Sequence, residues 1–461
     1  MKRLAVLSPL LVALLAGCAA LPPHAPDMLA AVPLPAQWSV AQAAAAPTSI
    51  AKDWWTQLGD PQLDRLVAQA LAQNNDLQTA MARVREAQAQ LDGSGAARSP
   101  QLNATLGATS GRSLGAFGPT HTRSLQPGLQ ASWEVDVWGR LAQLEQAAGA
   151  RLQASEADRD AVALNVAATT VQAYVGLRAL QAQQAISEAT VAAREQALEL
   201  ARDQVRVGYI SQLQQTQAQA ELAAVRQQVE QLNWQIDKQR STLDLLLGQA
   251  GGADVALGAP RIALQDLPLP PVPASLPSQL LERRPDIARA AALLAASDHQ
   301  LQAQRTAFLP QVNLSASVGS LMVNALNYNP LTVWSLGGSL LAPLFDAGRL
   351  HSQADAVSAQ RDQAALAYRG AVLAAFADTE NALTGTARLA RQTAFAIERR
   401  DVLQQSLTFA HDRYQAGYAS YIEELDAQRN LYAAQLEVVR LHQAELDNRV
   451  QLYKALGGGW R

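Results

Sequence analysis

Polar and apolar residues alternate from Ser124 to Val137, and the pattern then changes abruptly. The apolar positions of this stretch are Leu125, Leu129, Ala131, Trp133, Val135 and Val137. A period of two predicts a strand with one apolar and one polar face. After Gly139 the apolar period becomes helical, and no proline occurs before Pro260. The sequence therefore predicts a strand that leads directly into a very long helix.

The same unit occurs a second time in the chain. Gly348-Arg349-Leu350 repeats Gly139-Arg140-Leu141 at an offset of 209 residues. Gly417-Tyr418-Ala419-Ser420 matches Gly208-Tyr209-Ile210-Ser211 at the same offset. A long internal repeat indicates one supersecondary unit used twice. We assign repeat 1 to residues 59–248, a proline-rich linker to 249–277 and repeat 2 to 278–461.

Each repeat is predicted to contain a helix, a pair of strands, a long helix and a shorter returning helix. The strand pairs are expected at about 101–137 and about 311–343. The helix before the first pair is expected to begin with Asp60 as N-cap and Pro61 at its first position, and to continue to Pro100.

The breaks at Gly208 and Gly417 predict helical hairpins whose tips carry Gly208, Tyr209, Gly417 and Tyr418. Each returning helix then follows a heptad pattern. The first seam consists of Leu222, Val225, Val229, Leu232, Ile236, Gln239, Leu243 and Leu246. The second seam, at the same offset, consists of Leu431, Ala434, Val438, Leu441, Glu445, Asn448, Leu452 and Ala455. Three members are polar, Gln239, Glu445 and Asn448, and the two in the second seam indicate contact with another helix or with solvent.

The N-terminus has the features of a secreted lipoprotein. Residues 1–17 combine a basic start with a short apolar core, which is typical of a signal peptide. Leu15-Ala16-Gly17-Cys18 resembles the bacterial lipobox, which implies diacylglycerol and palmitate on Cys18. Ala19 in the next position implies the outer membrane, and residues 18–58 would form a lipid-anchored segment. The alternative is an ordinary signal peptide that happens to contain the only cysteine of the chain.

Composition excludes several functions. The net charge is −3 and 17% of the residues are charged, so nothing points to nucleic-acid binding. The six histidines lack the spacing of metal ligands, and we expect no cofactor besides the lipid. Glu423 and Glu424 are adjacent on a helix and point apart, so we expect no paired-carboxylate catalysis and no enzyme.

Four strands with an apolar face cannot cross a membrane alone, because their open edges leave backbone groups unpaired. After the signal no apolar run of about 20 residues occurs, so any crossing must be made by strands. Closure needs about eight strands, which two copies would supply, whereas three would supply twelve. The two shorter helices of a repeat together match one long helix, so Trp54-Trp55, the linker and the C-terminus should meet halfway along a helical tube. The predicted fold is mainly α with a transmembrane β-barrel that continues into an α-barrel.

At this point the chain resembles the TolC-like family of outer-membrane factors, in its lipidated branch of the OprM and NodT type. The resemblance covers both repeats. It is carried by the lipobox, WWTQLGDPQLDRLV, SWEVDVWGRL, LLERRPDIARA, FLPQVNL, PLFDAGRL, GYASYIEELDAQRNLYAAQ and LYKALGGGW.

The resemblance implies a homotrimer with a 12-stranded β-barrel and a 12-helix α-barrel. It implies an exit duct in the outer membrane with a long periplasmic extension. The partners would be a periplasmic adaptor protein and an inner-membrane transporter of the resistance-nodulation-division (RND) class, with drugs or other small molecules as cargo. The positions that match the family's narrowest point are Ile422 and Asp426, which would form a periplasmic gate.

Three alternatives stay open. The same architecture serves as the exit duct of type I protein secretion. A structural lipoprotein whose coiled coil tethers the outer membrane would share the helices but would not need the strands. At the gate, Asp426 would in the simplest case be a solvated residue that pairs with Arg429 or with a neighbouring chain.

Overall fold

A computed structural model of the chain describes Trp38 and residues 50–115, 118–250, 262–273 and 280–459. The predicted signal peptide, Cys18 and parts of the predicted N-terminal segment and linker lie outside the described residues. The chain divides into two compact units. Unit 1 contains residues 82–157 and 288–371, and unit 2 contains residues 33–81, 158–287 and 372–461. No helix in the described part of the chain is both long and apolar enough to span a membrane.

Unit 1 contains one antiparallel sheet of four strands in the order β1-β2-β3-β4. The strands are β1 (Gln101–Gly115), β2 (Gly118–Val135), β3 (Gln311–Val323) and β4 (Leu331–Leu341). Each lies within a predicted strand pair. The central pair, β2 with β3, joins the two repeats of the sequence, with Leu129 opposite Val318 and Val135 opposite Val312.

The register brings the apolar positions of all four strands onto one face. Leu102 lies opposite Ala131, which lies opposite Ala316, which in turn lies opposite Leu336. In the next row Leu129, Val318 and Trp334 are neighbours. The large side chains on this face are exposed in the single chain, for example Trp334 at 76% and Leu336 at 78%. A continuous apolar surface of this kind marks a face that contacts another protein or a membrane.

A capping carboxylate and a glycine mark each junction between a strand pair and a long helix. Gly139 and Gly348 have φ values of 75° and 85°, which glycine adopts without strain. Asp136 accepts hydrogen bonds from the first backbone amides of the following helix, at 3.0 and 2.8 Å. Asp346 accepts from the amide of Gly348, just before the second long helix, at 3.0 Å, and from the amide of Leu350, in its first turn, at 2.8 Å. A carboxylate at this place satisfies orphan N–H groups and complements the helix dipole.

Three pairs of corresponding helices in the two repeats have equal lengths. The long helices α3 (Arg140–Arg206) and α7 (Arg349–Gln415) each have 67 residues. The returning helices α4 (Gln212–Leu246) and α8 (Tyr421–Ala455) each have 35. The helices that precede the strand pairs, α2 (Asn75–Ala96) and α6 (Pro285–Thr306), each have 22.

The prediction of one helix from Pro61 to Pro100 is wrong. A first helix, α1 (Pro61–Gln73), ends at Asn74, and α2 begins at the next residue. Asn74 Oδ1 accepts from the amides of Asp76 and Leu77, and Asn74 Nδ2 donates to the carbonyl oxygen of Leu246 at 3.0 Å. The predicted start is confirmed, since Asp60 accepts from the amide of Gln62 at 2.9 Å. In the second repeat a four-residue helix, α5 (Leu280–Arg283), precedes α6.

In unit 2 the chain entry, linker residues and the end of α8 pack into one core. Trp54 is 1% exposed and stacks on Tyr453 with ring centroids 5.3 Å apart. Leu264 and Leu267 of the linker belong to the same cluster. The hydroxyl of Tyr453 lies 2.9 Å from both Gln57 Oε1 and the carbonyl oxygen of Pro271. Trp54 is thus a packing residue, and its contacts bring the chain entry, the linker and the C-terminal part of α8 together, as the sequence predicts.

Candidate functional site

The turns after α3 and α7 have the same backbone structure. Gly208 and Gly417 have φ values of 78° and 77°. The amide of Tyr209 donates to the carbonyl oxygen of Gln204, and that of Tyr418 to Arg413, each at 2.8 Å. This is the Schellman arrangement, which requires a left-handed residue and so favours glycine. Both tyrosines are exposed, so each predicted hairpin tip carries an aromatic side chain on its surface.

The returning helices begin differently after these turns. Ser211 and Gln214 form a reciprocal capping box at the start of α4. At the start of α8 the Ser420 side chain makes no capping hydrogen bond, although the Glu423 amide donates to the Ser420 carbonyl oxygen. The first turn of α8 therefore lacks the two capping-box hydrogen bonds that restrain the first turn of α4.

The two predicted gate residues lie on this first part of α8. Ile422 is half exposed. Asp426 is also exposed, and its carboxylate lies 3.5 Å from the guanidinium of Arg429. The contact with Arg429 is the pairing that the simplest alternative expected. Because it is a surface pair within one helix, it fixes the position of Asp426 only weakly.

Arg429 also connects α8 to α4. Its guanidinium donates to the carboxylate of Glu221, which is largely buried. This hydrogen bond lowers the pKa of Glu221 and raises that of Arg429. A charge-assisted hydrogen bond to a largely buried carboxylate is stronger than a surface pair, so it restrains α8 against α4.

A second polar contact connects α7 to α8. His411 Nδ1 lies 2.8 Å from Glu424 Oε1, and Gln428 donates to the same oxygen at 3.1 Å. Glu424 is 6% exposed. Glu423 instead lies at the surface, 3.6 Å from Arg413. The two adjacent carboxylates do point apart, as predicted, but the structure gives Glu424 a contact between helices that the sequence did not reveal.

Arg194 on α3 faces the same region from the other side. It is 5% exposed, and its Nε has no hydrogen-bond partner in the part of the chain that the structure describes. Burial lowers the pKa of Arg194, while the nearby carboxylates of Glu221 and Glu424 act in the opposite direction. Three helices thus contribute charged groups to one small volume.

Two cavities adjoin these side chains. The larger, about 970 Å³, lies between α3, α7 and α8 and is lined by His411, Tyr414, Tyr421 and Glu424, among others. The smaller, about 340 Å³, is lined by Arg194 and by residues of α3, α7 and α8. Within the described residues no cluster of three or more His, Cys, Asp or Glu side chains is arranged to hold a metal.

Sequence reasoning missed Glu221, His411, Glu424 and Arg194. A signal existed for one pair, because His411 and Glu424 lie six and seven positions on either side of Gly417. Residues at equal distances from a helical turn face each other across the hairpin. No comparable signal existed for Arg194, whose burial depends on three helices.

The chain resembles known proteins over almost its whole length. The sequence profile of the family described as "Outer membrane efflux protein" matches residues 66–249 and again residues 276–458. The chain is 37% identical over 470 residues to the pyoverdine export outer membrane protein OpmQ of Pseudomonas aeruginosa, and the match covers 100% of this chain and 98% of OpmQ. It is 31% identical over 465 residues to the probable outer membrane lipoprotein SilC of Salmonella typhimurium, with 100% of both chains covered.

The fold is similar to that of solved outer-membrane channels. The structure of the outer-membrane channel OprN superimposes with a TM-score of 0.86 at 27% identity, and the match covers 95% of this chain and 99% of OprN.

Proposed function

Because this chain belongs to the outer membrane efflux protein family, we infer that it is the exit duct of a tripartite efflux system. It is an outer-membrane efflux channel and not an enzyme. This conclusion rests on the match in sequence to an outer-membrane export protein and in fold to an outer-membrane channel, each over almost its whole length. The duct conducts its substrates passively, because members of this family are channels and catalyse no reaction.

Three copies form the channel in this proposal. The sheet of one chain supplies four strands with one continuous apolar face and two open edges, β1 and β4. Open edges cannot be tolerated in hydrocarbon, so strands of neighbouring copies must pair with them. Twelve strands from three copies close into a β-barrel, and α3, α4, α7 and α8 of each copy supply the 12 helices of an α-barrel.

The partners are a periplasmic adaptor protein and an inner-membrane RND transporter. The two hairpin tips, with Tyr209 and Tyr418 exposed, are the proposed periplasmic end. The cargo is small molecules. OpmQ is named for pyoverdine export, so pyoverdine is a candidate beside drugs.

The channel is anchored in the outer membrane by diacylglycerol and palmitate on Cys18. The lipobox supports this assignment, and the relative SilC is named an outer membrane lipoprotein. We propose no cofactor besides this covalently bound lipid.

The gate is formed by Ile422 and Asp426 of three α8 helices. Both side chains are exposed on the single chain and are therefore available to face the bore. Three isoleucines narrow the bore with apolar bulk, and three carboxylates attract cations and repel anions.

Two measurements test the assembly. Light scattering of the detergent-solubilised protein should give the mass of three protomers after subtraction of detergent, and planar bilayers should show cation-selective channels. A stable folded monomer would contradict the trimer, and assembled protein without conductance would favour a tether.

A third measurement tests the cargo. Deletion of the gene should raise the cellular content of a small-molecule substrate, with pyoverdine and a panel of drugs as probes, and the intact gene should restore export. Loss of a secreted protein, with unchanged export of small molecules, would favour type I secretion instead.

A further inference from the structure

Arg194 is in an unfavourable position in this structure. Its Nε is inaccessible to solvent and has no acceptor in the described part of the chain. The side-chain oxygen Oε1 of Gln428, on α8, is likewise buried without a donor. Both atoms are buried in the single chain without a hydrogen-bond partner among the described residues, and leaving such groups unpaired costs free energy. A different arrangement of the same helices that pairs Arg194 would recover that cost.

The carboxylates near Arg194 are already engaged. Glu424 accepts from His411 and Gln428, and Glu221 accepts from Arg429. Arg194 and Arg429 both act on Glu221, since each lowers its pKa through its positive charge. The two cations therefore both lie near one carboxylate, only Arg429 is hydrogen-bonded to it, and they belong to different helices, α3 and α8.

The helix that carries Arg429 is the one that carries the proposed gate. Leu425 and Tyr421 pack α8 against Leu198 of α3 and Leu222 of α4 in a small apolar cluster. The bond from Arg429 to Glu221 is a polar restraint added to this cluster. If α8 moves away from α4, Arg429 leaves Glu221 and a largely buried carboxylate loses its partner, which would oppose opening.

We propose that Arg194 is the alternative partner of Glu221, and that the carboxylate exchanges Arg429 for Arg194 when α8 moves to open the gate. This inference rests on the proposed gate on α8. The exchange keeps one ion pair on Glu221 in both positions and gives Arg194 an acceptor in the open one. The open and closed positions therefore differ less in free energy than they would without Arg194, and the helix has two discrete positions.

The test uses the full-length assembled protein in planar bilayers, with the ratio of open to closed time as the readout. Ile422→Ala serves as the background, because a smaller gate residue should make opening frequent enough to measure. In this background Arg194→Met should lower the ratio about tenfold, the size of a typical coupling between contacting residues. Arg226→Met is the matched control. Arg226 pairs with Glu195 across the same two helices, at 2.6 Å, but on the surface, so the ratio should not change.

The dependence on Glu221 separates an exchange of partners from a general effect of Arg194. With Glu221→Gln also present, Arg194→Met should have no further effect on the ratio. An unchanged or higher ratio in the Arg194→Met variant overturns the proposal, as does an effect that persists with Glu221→Gln. If Ile422→Ala itself does not raise the ratio, the gate on α8 and the exchange both fail. If it does and Arg194→Met has no effect, only the exchange fails.

Thermal unfolding gives a second, independent measurement on the closed protein. Arg194→Met should raise the unfolding temperature, because it removes a buried Nε–H group that has no acceptor among the described residues in the closed position. A variant that is less stable than the wild type, or that does not assemble, would show that Arg194 already stabilises the closed form, and this result overturns the proposal.

Discussion

The side-chain amide of Gln239 donates a hydrogen bond to the backbone carbonyl oxygen of Ala173, with 2.8 Å between the two atoms. Asn448 makes the equivalent bond to Ala382 at 2.9 Å. Both donors and both acceptors are related by the 209-residue offset of the sequence repeat. The polar residues that interrupt the heptad seams at these two positions therefore hold each returning helix against its long helix. This accounts for Gln239 and Asn448, which apolar packing alone would not explain.

A glycine makes room for the second of these contacts. A Cβ atom added to Gly385 would lie 2.3 Å from Asn448 Oδ1, whereas a Cβ on Gly370 of the same helix has nothing within 4 Å. Gly385→Ala should therefore lower the free energy of unfolding by about 1 to 3 kcal/mol through steric strain. Gly370→Ala should raise it by up to about 1 kcal/mol, because alanine favours the helix. Denaturant titration of both variants measures the difference, and shifts of the same sign would contradict the contact.

Asp447 should make stability depend on pH. Its Oδ1 has no partner among the described residues, Oδ2 accepts from Gln443 at 3.3 Å, and burial raises the pKa of this carboxyl from 3.8 to about 6. Because the folded protein binds this proton more tightly than the unfolded chain does, the contribution to stability is greatest at low pH. It falls as pH rises from about 4 through about 6.

Asp447→Asn should remove this fall and should be more stable than the wild type at pH 7 by on the order of 2 kcal/mol. Denaturant titrations between pH 4 and pH 8 measure the effect as the difference between variant and wild type. Asp237→Asn is the control, because Asp237 is an exposed carboxylate on α4. The same pH profile for Asp447→Asn and for the wild type would show that Asp447 titrates normally.

The proposed gate predicts a change in conduction. Ile422→Ala combined with Asp426→Ala should raise the single-channel conductance and lower the cation selectivity, because both the apolar bulk and the negative charge of the ring are removed. Bilayer recordings at asymmetric salt measure both quantities. If a correctly assembled double variant keeps both, the constriction lies elsewhere.

The control for this experiment follows from the structure. From the sequence, Glu424→Ala should change conductance and selectivity little, because Glu424 lies at a different angle around the helix axis from the gate residues. However, Glu424 is buried against His411, so its removal would disturb the contact of α7 with α8. Glu423→Ala is the better control, because Glu423 is exposed and has only a long contact with Arg413.

Lipidation predicts a simple labelling result. Cys18→Ala should abolish the incorporation of radioactive palmitate, because the thiol is the only one in the chain. Trimers should still assemble, since the strands hold the protein in the membrane. Ala19→Asp is the matched variant, which should keep the label but alter sorting to the outer membrane. Labelled Cys18→Ala protein would exclude this site.

The sequence by itself determined the strands, the long helices and their repetition. These features depend on periods of two and of about 3.6 residues, and such periods are local properties of the chain. Turns with a glycine in the left-handed conformation are local as well, so Gly208 and Gly417 could be located correctly. Ile422 and Asp426 came from the resemblance to a family, and periodicity alone would not have selected them.

Tertiary structure decided where polar residues interrupt or connect these elements. The break at Asn74 contains neither glycine nor proline, and Asn74 binds the carbonyl oxygen of Leu246, 172 positions further along the chain. Glu424 is buried although its neighbour Glu423 is exposed, because His411 of another helix supplies a partner. Arg194 is buried because α3 meets other helices at that level. The free energy of a buried polar or charged group depends on the partner that the fold provides, and a period in the sequence carries no information about that partner.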